Sequence, residues 1–170
     1  MLAPRTALVT LLLTVALALQ LSVLSRLGLP GATPDVVLVV VAALALAYGP
    51  LSGSAVGFAA GLALDVVPPS EHAVGRYAFV LCVVGYLVGS LRSEVDRSTV
   101  LPILVVGLAA VVATLLYAGM GALFGDTAIT GARLMSLLPS AVLYDMFLAP
   151  FVLPAVAALV NWAEPEPSRW

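Results

Sequence analysis

Charge is scarce in this chain. Only 9% of its 170 residues are charged, lysine is absent, and there is one cysteine and one histidine. Soluble domains carry about 25% charged residues. A chain that is 62% hydrophobic, with a mean hydropathy of +1.16, could not hide its apolar surface in so small a core. Each shortage excludes a class of chemistry. One Cys and one His cannot build a disulfide framework or a Cys/His metal site. Cys82 lies among Val80, Leu81, Val83 and Val84 and reads as a small apolar residue. The seven basic residues, all arginine, are scattered, so a phosphate-binding stripe and a nucleic-acid partner are not expected. His72 sits beside Glu71 between hydrophobic segments and completes neither a triad nor a metal site. No phosphate loop is present. The chain is therefore expected to hold no catalytic residue, cofactor or metal, and not to be an enzyme.

What is there is hydrophobic length. Six apolar segments, at about 7–24, 34–48, 51–67, 77–91, 100–124 and 134–160, are bounded by charges, Gly and Pro. This predicts an all-α integral membrane protein, a bundle of six transmembrane helices forming one domain over 1–170. The N-terminus resembles a secretory signal, with Arg5 before an apolar run. Further hydrophobic segments follow instead of a soluble domain, so a retained first span is the better reading. Thr33-Pro34-Asp35 supplies a helix start: hydroxyl cap, proline in the first turn, acid at the positive dipole end. Segments two and three are short for a ~30 Å hydrocarbon core, so a re-entrant or five-span arrangement is the alternative. Pro139, Pro150 and Pro154 interrupt the sixth segment. With six spans and the N-terminus inside, Arg5, Arg92, Arg97 and Arg169 lie inside, and Arg26, Arg76 and Arg133 outside. That weak positive-inside bias puts both termini in the cytoplasm. Trp162 and Trp170 near the tail suit the membrane interface.

Three glycines and an acid recur at four-residue intervals: Gly53, Gly57, Gly61 and Asp65. On a helix they share one face, a bare stripe of backbone ending in a carboxylate. Small residues admit a second helix at close range, either a helix of this chain or one from a partner. Asp65 reads as pairing with Arg76 or another outer-loop arginine, or as a functional contact. Asp145 falls roughly 18 Å along the sixth helix from Arg133, with Ala141 and Ala149 on its face and Tyr144 beside it. Intramembrane acids face protein, not lipid. Structural hydrogen bonding and a functional role both remain open for it. Each half of the chain ends on an acid followed by proline, Asp65 before Pro68 and Asp145 before Pro150, which suggests a three-plus-three duplication. A proton or cation relay through the two acids would need a polar route, and segments one and five and the Val36–Tyr48 run of segment two hold no charge.

Taken in order, these residues resemble the MreD family of rod-shape-determining membrane proteins of bacteria. The resemblance is carried by Pro34-Asp35, by Gly49-Pro50-Leu51-Ser52-Gly53 and by Gly57 through Asp65. Further on it rests on His72-Ala73-Val74-Gly75, Val84-Gly85-Tyr86-Leu87-Val88-Gly89, and Leu143-Tyr144-Asp145 with Ala149-Pro150 and Pro154. It implies a non-catalytic scaffold of the cell-elongation complex (the elongasome) in the plasma membrane. Its partners would be MreC, a RodA-type glycosyltransferase and a class B penicillin-binding transpeptidase, so that it positions peptidoglycan synthesis and controls cell shape. Gly53, Gly57, Gly61, Asp65, Tyr144 and Asp145 would be the partner-binding or helix-packing residues. The family is also similar in fold to the S-components of energy-coupling-factor transporters. A substrate-binding subunit of a vitamin transporter is therefore the alternative, and it requires a cavity lined by polar residues of the outer half.

Overall fold

A computed structural model describes residues 2–22, 31–67, 75–95, 98, 100–125 and 131–163. Among them the chain is all-helical: α1 (Leu2–Ser22), α2 (Val36–Tyr48), α3 (Pro50–Val66), α4 (Arg76–Ser90), α5 (Arg92–Val95), α6 (Leu101–Leu123) and α7 (Gly131–Ala163). The six hydrophobic segments correspond to α1–α4, α6 and α7, and one turn of helix, α5, forms in the charged stretch between the fourth and fifth. Glu71 and His72, the 126–130 segment and the tail from 164 lie outside the described residues. Three stretches are long and apolar enough to cross a membrane: Arg5–Ser22, Leu101–Leu123 and Leu134–Ala163. Helices α2, α3 and α4 have 13, 17 and 15 residues, about 20, 26 and 22 Å at 1.5 Å per residue.

The shortest of these helices is the centre of the bundle. Val36 through Ala45 are all buried, and α2 packs against α1, α3, α4, α6 and α7. A helix that is hydrophobic all round belongs in a core. Its opening run, Val-Val-Leu-Val-Val-Val, is rich in β-branched residues that are indifferent helix formers, so packing stabilises it more than local propensity does. It stops where Gly49 takes φ +86°, a left-handed backbone that glycine adopts without strain. Pro50 then starts α3, where its missing N–H costs nothing.

The three prolines of α7 do not interrupt it. Pro139, Pro150 and Pro154 lie inside one helix of 33 residues, a correction to the interruption expected from proline's lost hydrogen bond. Pro150 and Pro154 instead line an apolar groove of about 430 Å³ with Leu46, Pro102 and Ile103. Proline is tolerated in membrane helices where neighbouring helices pack around the altered backbone.

Candidate functional site at the polar end of the bundle

The glycine stripe is answered from within the chain. Helices α3 and α4 run antiparallel and make the most extensive contact in the molecule. A Cβ added to Gly53 would sit 2.5 Å from the Gly85 carbonyl oxygen, and one added to Gly61 would sit 2.5 Å from the Ala78 Cα. One added to Gly57 would collide with the Leu81 carbonyl. From the other side, Gly89 meets the Pro50 Cα. The two backbones touch along four turns, which only glycine permits. With α4 seated there, this face is occupied and offers no room to a helix from another protein.

The carboxylate at the stripe's end caps the partner helix. Asp65 is 2% exposed. Its Oδ2 accepts the N–H of Gly75 at 2.9 Å and of Ala78 at 3.0 Å, and its Oδ1 accepts that of Tyr77 at 3.2 Å. These are the orphan donors of the first turn of α4, where the helix dipole also favours an anion. Gly75, at φ +99°, is the N-cap and brings no side-chain cap of its own, so a remote aspartate fills the role.

Arg76 is not the loop charge that the sequence suggested. It is 3% exposed. Its Nε and Nη2 donate to the Tyr117 carbonyl at 3.0 and 2.6 Å, and its guanidinium lies 3.7 Å over the Tyr117 ring. The planar fork suits both contacts at once. Gly121, one turn further along α6, leaves space for it, since a Cβ there would meet the guanidinium. Arg76 therefore ties α4 to α6 and drops out of the count of outer-loop arginines. Arg5 does a similar job at the other end, donating to Ser52 Oγ at 2.6 Å and lying 3.9 Å over the Tyr48 ring.

Between these anchors the chain enters α2 through a non-helical stretch, 31–35, held by three helices. Ala32 N–H donates to Ser140 Oγ of α7 at 2.9 Å. Asp35 N–H donates to Asp145 Oδ1 of α7 at 2.7 Å, and Val36 N–H to Gln20 Oε1 of α1 at 2.8 Å. Asp35 itself is the N-cap, its Oδ1 accepting Leu38 N–H at 2.9 Å; Thr33 does not take that part. The Tyr77 hydroxyl of α4 donates to the other Asp35 oxygen. The buried donors at the start of α2 are thus satisfied by side chains from α1 and α7 and by its own cap. Because this entry reaches Asp145, near the middle of α7, α2 begins deep and is short. Irregular backbone at such depth is stable where it is enclosed by protein or lines a cavity.

It lines a cavity here. A space of about 480 Å³ opens at this end, bounded by residues 31–33, Asp35, Leu38, Tyr77, Val80, Ala110, Thr114, Tyr117, Leu137 and Ala141, with Asp145. Tyr77 and Tyr117 meet edge to face, centroids 5.5 Å apart. Among the six expected site residues, Gly53, Gly57, Gly61 and Asp65 form the α3–α4 seam, and Asp145 joins Asp35 at the cavity. Tyr144 is half-buried and does not line the cavity. Asp35, Tyr77 and Arg76 complete the cluster without having been singled out as site residues. Only Asp35 carried a local signal, its place beside Pro34 before an apolar run. Among the described residues no group of three or more His, Cys, Asp or Glu side chains could hold a metal ion.

Compared with known proteins, residues 4–162 match the model of one family, rod shape-determining protein MreD. No curated protein and no solved structure gives a significant match.

Proposed function

The chain belongs to the MreD family of rod shape-determining proteins, and from this premise we propose that it is a non-catalytic scaffold of the bacterial cell-elongation complex. In this reading it crosses the plasma membrane six times with both termini in the cytoplasm. It binds MreC and, directly or through MreC, positions the RodA-type glycosyltransferase and the class B transpeptidase that build peptidoglycan. The observation that carries a scaffold role is where the polar groups go. Asp35, Asp65, Arg76 and Asp145 are all buried and engaged in helix caps and inter-helix ties. The exterior is left apolar, with Met135, Leu143, Phe147 and Phe151 exposed along α7. Such a body is rigid inside and suited to lipid and to other membrane helices outside. Since the glycine face is filled by α4, MreC would meet a different surface. Affinity purification of the tagged full-length chain from its own membranes in mild detergent tests this. MreC should be retained with it, and a monodisperse chain that never brings down MreC would refute the scaffold reading.

The alternative, a substrate-binding subunit similar to the S-components of vitamin transporters, is favoured by one observation, the cavity beside Asp35 and Asp145. Vitamin uptake by cells that depend on this chain would support it.

A further inference from the structure

One acceptor at the polar end is left over. Asp35 uses both carboxylate oxygens, for Leu38 N–H and the Tyr77 hydroxyl. Asp145 uses one, for Asp35 N–H, and its Oδ2 has no donor among the described residues. Asp145 is 2% exposed and borders the cavity. A carboxylate oxygen at the wall of a largely apolar cavity gains when a charged or donating group joins it. The rest of the wall narrows what that group can be. Among the described residues no arginine or histidine borders the cavity. The nearby cation, Arg76, is turned to the Tyr117 carbonyl. Two carboxylates with no facing base among the described residues disfavour an anion. The Tyr117 ring already carries the Arg76 guanidinium, and the Tyr77 ring, edge to face with it, adds aromatic surface that attracts cations through the ring quadrupole. Apolar side chains such as Leu38, Val80 and Leu137 complete the lining, suiting a ligand with a short hydrocarbon part. The volume of about 480 Å³ falls within the usual range for small-molecule sites.

We infer that this cavity is a binding site for a primary ammonium group, which donates to Asp145 Oδ2 and lies against the Tyr77 ring. The ammonium can come from a free amine or from the headgroup of an aminophospholipid; the chemistry at Asp145 is the same. The site is independent of whether the chain binds MreC.

The test uses the purified full-length chain and two pairs of probes. 2-Phenylethylamine is compared with its neutral counterpart 2-phenylethanol by calorimetry in detergent. Phosphatidylethanolamine is compared with phosphatidylglycerol by native mass spectrometry after release from nanodiscs. Saturable binding of the amine over the alcohol, or retention of phosphatidylethanolamine over phosphatidylglycerol, supports the site and identifies its source. Asp145→Asn keeps an oxygen for Asp35 N–H while removing the charge, and should weaken amine binding about tenfold or more. Ala141→Leu narrows the cavity while keeping both carboxylates and should block binding even where Asp145→Asn folds poorly. Gly119→Ala, at a glycine with open space around it, should bind as the native chain does. Failure to bind either ammonium probe overturns the inference. So does equal binding of the neutral or anionic counterparts, or binding that survives both Asp145→Asn and Ala141→Leu.

Discussion

Asp145 of α7 accepts the backbone N–H of Asp35, 110 residues earlier, at 2.7 Å. A carboxylate is thus spent on holding an irregular stretch of backbone in place, with the Asp35 side chain engaged beside it by Tyr77 and Leu38. This contact sets where α2 begins, and α2 is the helix around which the others pack.

Removing the acceptor should therefore cost more than changing its charge. Asp145→Ala leaves a buried N–H unsatisfied and should destabilise the chain by about 1–3 kcal/mol. Asp145→Asn, which can still accept that N–H, should lose clearly less. Thermal unfolding of both variants in the same detergent measures the difference; equal losses would mean that the Asp35 contact is not what Asp145 supplies.

At the α3–α4 seam the prediction is steric. Gly57→Leu drives a side chain into the Leu81 carbonyl and should cost at least about 3 kcal/mol, enough to abolish a monodisperse folded species. Gly119→Leu, with nothing within 4 Å of its Cβ position, should elute and melt like the native chain. Size-exclusion profiles of the two variants decide the matter, and MreC need not be present for the effect.

The cap made by Asp65 predicts a graded series. Asp65→Ala removes all acceptors from the first turn of α4 and should cost about 1–2 kcal/mol. Asp65→Asn retains one oxygen and should lie between Ala and native. Amide hydrogen exchange in α4 would report this locally, with faster exchange at Tyr77 and Ala78 in the Ala variant.

Arg76→Lys should behave as a disruptive change, because an ammonium cannot make the paired contact to the Tyr117 carbonyl and stack on its ring together. Gly121→Ala should push on the same guanidinium. The two effects should be non-additive, with a coupling of about 0.5–3 kcal/mol in a double-mutant cycle. Additive losses would show that Arg76 and Gly121 act separately.

The segments themselves were legible because length and hydropathy are local properties. Boundaries marked by Gly49-Pro50 and by the charges after Leu91 fall close to the observed helix ends. The small-residue stripe announced a close contact, yet its counterpart on α4 is spelled by Ala78, Leu81, Gly85 and Gly89, which do not form an uninterrupted small-residue repeat. Asp65 was expected to pair with Arg76 or another arginine, but its carboxylate caps α4 while Arg76 turns to Tyr117; the groups that Asp65 and Asp145 bind are backbone N–H groups, which every residue but proline carries and no sequence pattern marks. Asp35 and Asp145 would moreover be expected to repel. Arg76 was misread for the opposite reason: an arginine beside a polar loop is usually solvated, and only the Tyr117 carbonyl and the space at Gly121 explain its burial. The prolines of α7 show tertiary packing overriding a local rule.

Sidedness is the central claim, since the six crossings proposed above would place the cavity on the outer face and both termini inside. Single cysteines at Ser70, Ser98, Thr127 and Ser168, on a Cys82→Ala background, can be probed in intact cells with a membrane-impermeant maleimide. The account predicts labelling at 70 and 127, with 98 and 168 reacting only after permeabilisation. Labelling of 168 in intact cells, or protection of 70 and 127, would contradict it.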